Sequence, residues 1–269
     1  HKAGFQVAFH VGGDRAIDMA LDAIEAALRE KPRENHRHRL EHVIFPTREA
    51  LERIKKLGVV VSTSPQWISF HGAGYRDSTD EKTMQRFIPI RTMLDMGIHV
   101  AFGCDVPATI MLEPGWAFVG AVTRATASGY VPASEERISI GDALRIHTMG
   151  SAYASFEENI KGSIEVGKVA DMVVWSHDLY SMPTSQLKDL TVEATIVGGK
   201  IVYETKQEVT ITGMTLTGAT YTTSPVQALT STYRPIVGVQ LAIPIMVFVI
   251  VATGAAILLS RRKRRILKT

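Results

Sequence analysis

One cysteine, Cys104, is the entire thiol content of this 269-residue chain. An intrachain disulfide is therefore excluded, as is any thiolate-rich zinc or iron–sulfur site. The chain has no Asn-x-Ser/Thr glycosylation acceptor and no internal repeat. It also lacks a basic surplus on its body. Thirty Lys and Arg oppose 27 Asp and Glu, giving a formal charge of +3, yet six of those cations sit in residues 260–269, which hold no acid. Residues 1–259 then carry 24 positive against 27 negative charges, about −3, so no basic nucleic-acid face is expected on the globular part. The chain opens on His1 rather than Met, shows no signal peptide and enters an apolar strand pattern within five residues. The expectation is a piece whose beginning lies upstream.

What is present is a body that is 45% hydrophobic, enough for a sizeable core. Residues 1–150 alternate short apolar runs with amphipathic helices. Phe5–Phe9 reads as a strand, and Asp14 as the N-cap of a helix with Ile17, Ala20, Leu21, Ile24 and Leu28 on one face. Arg39–Ile44, Val59–Thr63 and His99–Phe102 read as further strands. The intervening helices start near Thr47, closing at Gly58, and near Arg86, closing at Gly97. Pro65 to Thr83 reads as a long polar loop. Helices are expected over Pro114–Ala127 and after Ser139, where Ser139 and Asp142 resemble a capping box. Four strand–helix units indicate parallel α/β architecture, half of a (β/α)8 barrel. Gly162–Trp175 and Val192–Tyr203 read as antiparallel strands of a small β appendage, the second folded at Gly198-Gly199.

The C-terminal end reads differently. Val209–Tyr233 has no charge and is rich in Thr, the composition of an extended stalk. Ile236 to Leu259 is an uncharged run of 24 residues followed by RRKRR. As a helix that run would span about 36 Å, enough to cross a ~30 Å hydrocarbon core. The expected organisation is residues 1–160 as the half barrel, 161–205 as β-sandwich strands and 206–235 as stalk. Residues 236–259 follow as a transmembrane helix in a lipid bilayer, and 260–269 as a basic cytoplasmic tail. Such an anchor places the body outside the cytoplasm.

Three polar residues stand at the ends of predicted strands: His10 after FQVAF, His42 closing RLEH, and Asp105 after HVAFGC. In a β/α barrel these ends converge on one mouth, where catalytic groups sit. Two imidazoles and a carboxylate suit a divalent metal such as zinc, with Asp105 placed to take a proton from an attacking water. Trp67 and His71 are candidates to line a substrate pocket, and Arg86 to meet an acidic substrate group. His99, His147, His177 and Asp171 are read as structural, Cys104 as a buried small residue, and His36-Arg37-His38 as a solvated loop.

The runs FHVGGDRAIDMALDAIE, HRLEH and GIHVAFGCDVP, with the later ISIGDALRIHTMGSAYAS, KGSIEVGKVADMVVW and ATIVGGKIVYE, resemble the second half of the amidohydrolase superfamily. The likeness is to amidohydrolase family 3, the metal-dependent hydrolases, and covers roughly residues 1–204. It implies that His10 and His42 bind metal and that Asp105 both binds metal and acts as acid/base. It implies one or two divalent ions and cleavage of a carbon–nitrogen bond in a small amide-like substrate. The family's strand-one His-x-His pair and its bridging ligand have no counterpart here, and Cys104 replaces the usual Ser before the aspartate. A catalytically silent, membrane-anchored binding module on the same barrel remains the reading of another class; a deaminase or isomerase is a third. The four-unit chain alone is expected to be inactive. Substrate, metal identity and oligomeric state are not readable from these residues.

The C-terminal reading makes a topological prediction. Protease added to intact cells should digest the body that carries His10, His42 and Asp105, while a tag placed after Thr269 stays protected. The reverse pattern would invert the anchor.

Overall fold

The computed structural model describes residues 1–106 and 113–205. Four short strands, β1 (Ala8–Val11), β2 (Arg39–His42), β3 (Val60–Thr63) and β4 (Val100–Phe102), form one sheet in the order β1-β2-β3-β4. All three pairings are parallel: Phe9 lies beside Leu40, Leu40 beside Val61, and Val61 beside Val100. Parallel strands require crossovers, and the amphipathic segments supply them. Helix α1 (Asp14–Glu30) buries Ile17, Ala20, Leu21 and Ile24, the spacing of one helical face. In α2 (Arg48–Leu57) the Thr47 side chain accepts the Ala50 N–H, and Gly58 ends the helix at φ 67°, where the left-handed backbone favours glycine. Leu40, Val61, Ile17, Leu21, Ile54 and Ile68 are among the core residues between these layers.

Several boundaries differ from expectation. The first strand begins at Ala8, so His10 lies within β1. Gly13, not Asp14, caps α1; Asp14 is its first helical residue. The stretch from Pro65 to Thr83 is no loop. It forms α3 (Gln66–Ser78) and most of α4 (Glu81–Met84). Its two glycines and scattered polar groups lower helix propensity, and packing overrides that. A Cβ at Gly72 would sit 2.8 Å from the Thr126 methyl, so this face of α3 accepts only glycine without a shift. Helix α5 is confined to Ile90–Asp95.

After β4, α6 (Gly115–Phe118) runs into a π turn over Val119–Thr123, and α7 (Ile140–Arg145) into a second over Ile146–Gly150 that leads to α8 (Ser151–Ala154). The Ser139 hydroxyl accepts the Asp142 N–H and donates to its carboxylate, as the capping-box reading required. Arg124, between these helices, is fully buried at positive φ, 58°. It satisfies the carbonyls of Phe87, Ile88 and Pro132 with its guanidinium. Burial draws its pKa down to about 10, so it stays charged at neutral pH. Nothing in the sequence marks it as a core residue.

A separate sheet, β5 (Met172–Trp175), β6 (Val192–Val197) and β7 (Lys200–Glu204), is antiparallel throughout. Gly198 and Gly199, at φ 56° and 78°, form the β6–β7 turn, and the Gly198 N–H donates to Asp171 Oδ1 at 2.8 Å. Asp171 is thus structural, as expected. Residues 206–269 lie outside the described residues, and with them the stalk, the 236–259 span and the basic tail. Among the described residues no helix is long and apolar enough to cross a membrane.

His36-Arg37-His38 is buried, contrary to the solvated loop expected of so polar a stretch. Arg37 lies 3.7 Å over the Tyr153 ring and 4.4 Å over Phe156, and pairs with both carboxylate oxygens of Glu158. These contacts compensate the loss of water. His38 Nδ1 accepts the Val7 N–H at 3.1 Å, which leaves Nε2 to donate to His1 Nδ1 at 2.8 Å. His38 must therefore be neutral. Burial, then the charges of His36 and Arg33 and the terminal amine, lower its pKa to about 4.

That depression has a signed consequence. Below pH 6.5 the unfolded chain takes up a proton that the folded chain refuses until about pH 4. Stability should therefore fall as pH drops through this window, with His38 contributing up to about 3 kcal/mol. His36, His42, His99 and His147, also lowered by burial, act in the same direction. Urea-unfolding midpoints between pH 7.5 and 4.5 should show the decline, and His38→Gln should reduce it.

Candidate active site

Parallel pairing carries the C-terminal ends of β1, β2, β3 and β4 to one end of the sheet. His10 stands on the exposed edge strand β1, and Val11 pairs with His42, the last residue of β2. Asp105 follows β4 by three residues. His42 Nε2 lies 3.0 Å from His10 Nδ1 and 3.9 Å from Asp105 Oδ2. The three predicted residues are brought together, with His42 as the common member.

The backbone beneath them is constrained. His42, Val43 and Asp105 have φ of 74°, 49° and 54°, values that side-chain-bearing residues seldom adopt. The first two are held by neighbours. Val43 N–H donates to the Val11 carbonyl, and Ile44 N–H to that of Gly12. The Thr63 hydroxyl donates to the His42 carbonyl at 2.8 Å. Strain of this kind persists where the surroundings over-determine it, and it concentrates at functional sites.

Trp67, on the first turn of α3, stacks on the His42 ring at 4.8 Å, and His71 meets Trp67 edge-on at 5.2 Å. Both expected pocket residues therefore border the histidine pair. Arg86 does not join them. Its guanidinium donates to the Phe45 carbonyl at 2.8 Å and to Asp14 at 3.1 Å, so it ties α1 to the loop before α5. Cys104, expected to be buried, is exposed, because the chain leaves the sheet after Phe102.

Burial lowers the pKa of His42; Asp105 opposes the shift and His10 adds to it. At neutral pH the ring is uncharged and holds a lone pair, as a metal ligand must. Two donors about 2.1 Å from a tetrahedral ion stand about 3.4 Å apart. The 3.0 and 3.9 Å separations from His42 bracket that value, and two imidazoles with a carboxylate are donor types that suit such an ion. Among the described residues, however, no group of three His, Cys, Asp or Glu side chains is placed to hold an ion.

Two further residues approach this end of the sheet. Gln66 and His147 each bury a polar atom that has no hydrogen-bond partner, as do His42, Trp67 and Ser69. Gln66 sat in the segment expected to be a loop, and His147 on a helix expected to be structural. The available signal for Gln66 was its position three residues past the end of β3, the same rule that found Asp105.

An amidohydrolase-family profile matches residues 1–203. The chain belongs to the amidohydrolase family. It is 32% identical over 204 residues to the N-substituted formamide deformylase of Arthrobacter pascens, across 76% of this chain and 37% of that protein. It is 29% identical over 207 residues to the putative amidohydrolase YtcJ of Bacillus subtilis, across 76% and 38%. An uncharacterized metal-dependent hydrolase from Pyrococcus horikoshii superposes with a TM-score of 0.59 at 26% identity, covering 68% of this chain and 36% of that one. The chain thus spans less than two-fifths of the curated relatives' length. Its parallel α/β part resembles the barrels of its amidohydrolase neighbours.

In this chain Gly120, on the first π turn, packs against the start of α3. A Cβ there would lie 2.0 Å from the Pro65 carbonyl oxygen. Gly120→Ala should displace Pro65 and the turn carrying Gln66 and Trp67, at a cost of about 1–3 kcal/mol. Chemical denaturation of wild type and variant measures it.

Proposed function

We propose that this chain is the part of a metal-dependent hydrolase that contributes His10, His42 and Asp105 to cleavage of a carbon–nitrogen bond in a small amide-like substrate. The observation that carries the reading is the convergence of these three side chains at the C-terminal end of a parallel sheet. Four parallel strands are half the number in a (β/α)8 barrel, and we read residues 1–160 as its second half. His10, His42 and Asp105 would hold the metal, zinc being the ion their donor types suit. A divalent cation there supplies Lewis acidity, which polarises a carbonyl and makes a water acidic near neutral pH. The rest falls to the protein. Asp105 takes the proton from the attacking water and passes it to the departing nitrogen, whose bond to the carbonyl carbon breaks. Trp67, stacked on His42, keeps that ring oriented and excludes water from one face. We further read residues 236–259 as a bilayer anchor that holds this body outside the cytoplasm; the uncharged run and its basic flank support that reading.

The test is metal content and hydrolysis of N-substituted formamides, measured on the protein encoded by the whole reading frame. His10→Ala and His42→Ala should each lower both. Asp105→Asn keeps the shape and a weak oxygen donor but removes the proton acceptor. It should retain part of the metal and lose hydrolysis on the order of 100-fold or more. Near wild-type turnover in Asp105→Asn would remove the base, and full metal occupancy in both histidine variants would remove the ligands.

A further inference from the structure

One peptide unit, between His42 and Val43, fixes His42 beside His10. Its N–H, that of Val43, donates to the Val11 carbonyl at the end of β1 and to the Glu41 carbonyl, each at 3.1 Å. The bond to Glu41 spans three residues around His42, whose φ is 74°, which is the pattern of the rare, strained γ-turn. Val43 follows at φ 49°, a value that residues branched at Cβ seldom adopt. The carbonyl of the same unit, that of His42, accepts from the Thr63 hydroxyl at the end of β3, at 2.8 Å. Thr63 and Val43 are 1% and 0% exposed, so water does not compete for these bonds. Thr63 also faces the other side of the site. Its own carbonyl accepts the Gly103 N–H at 2.9 Å, two residues ahead of Asp105.

The His42 ring has few other restraints. Its Nε2 faces His10 and Asp105. Its Nδ1 is buried and makes no hydrogen bond to the protein. An imidazole that binds a metal is ordinarily oriented by a hydrogen bond on its second nitrogen. Here the Trp67 ring covers one face, and the turn beneath sets the direction in which the side chain leaves the backbone.

We propose that Thr63 is a positioning residue: its hydroxyl holds the His42 carbonyl, keeps the strained turn closed and so fixes the His42 ring beside His10 and Asp105. Backbone strain persists only where the surroundings over-determine it. Without the hydroxyl a buried carbonyl is left unpaired, and the peptide turns toward another donor, carrying the ring with it. The inference deepens the hydrolase reading and rests on it only for what the aligned ring then does.

The test is made on the protein encoded by the whole reading frame, labelled with 13C at histidine Cε1, with zinc as the only added ligand. Thr63→Ser keeps the hydroxyl, Thr63→Cys offers a weak donor and Thr63→Val none. Thr148→Val serves as the stability control: it removes a hydroxyl that donates at 2.8 Å to the Leu144 carbonyl, away from β2. In metal-free protein the His42 resonance, assigned by its loss in His42→Gln, should shift and broaden in Thr63→Val and stay near wild type in Thr63→Ser and Thr148→Val. Zinc affinity should fall about 10–100-fold in Thr63→Val, less in Thr63→Cys, and recover in Thr63→Ser. If Thr63→Val does not fold, Thr63→Cys against Thr63→Ser decides. An unmoved His42 resonance in a folded Thr63→Val or Thr63→Cys overturns the inference, as does unchanged zinc affinity where wild type binds zinc. An equal effect in Thr148→Val overturns it too, since Thr63 would then be merely structural. If the resonance moves while zinc binds neither wild type nor variant, the positioning role stands and the metal-hydrolase reading falls.

Discussion

The parallel pairing of β1 through β4 is the constraint on which the rest of the structure depends. Strands that all run one way deliver all their C-terminal ends to one edge of the sheet. His10, His42 and Asp105 are separated by 32 and 63 positions in the chain, yet His42 reaches both others within 4 Å. Slipping β2 by one residue would turn His42 to the opposite face and bury its charged neighbours. The alternating burial along β2, with Leu40 and His42 inside and Arg39 and Glu41 half-exposed, opposes that slip. At the other end of the same strands, Arg37 between two aromatic rings and His38 against Val7 hold the entry to β1 and β2.

The helices that follow β4 matter because of how closely they approach the sheet. Gly120 against the Pro65 carbonyl and Gly150 against the Val100 carbonyl are contacts that any side chain would break. Each belongs to a π turn. Together they bring the start of α3 and the His147 ring to the end of β4. Arg124 closes the carbonyls left open between these segments, so the approach does not strand backbone acceptors.

The distribution of unsatisfied polar atoms supports the functional reading. Among the described residues, the buried side-chain atoms without partners belong to His42, Gln66, Trp67, Ser69 and His147. Three of the five, His42, Gln66 and Trp67, form or directly adjoin the stack of His42 on Trp67. A fold under pressure only for stability would pair such groups or replace them with apolar ones. Their concentration at the end where strained residues also gather is what a binding site requires.

By itself the sequence determined the period-based features. The 3.6-residue spacing in α1 and the caps at Thr47, Gly58 and Ser139 were legible because local hydrogen bonds and backbone preferences set them. So were the end of β4 and the β6–β7 turn, and with them the position of Asp105, whereas β2 stops at His42, two residues short of the expected Ile44. Tertiary structure alone decided the rest. Pro65–Thr83 is largely helical, with Gly72 packed closely against Thr126, a contact between residues far apart in the chain. Arg86 bonds Phe45 and Asp14, Cys104 is exposed, and Arg37 is buried by partners more than a hundred positions away. Gln66 and His147 became candidates only when each was seen to bury a polar atom unpaired. Whether a polar group has a partner depends on what the folded chain places beside it, and periodicity carries no record of that.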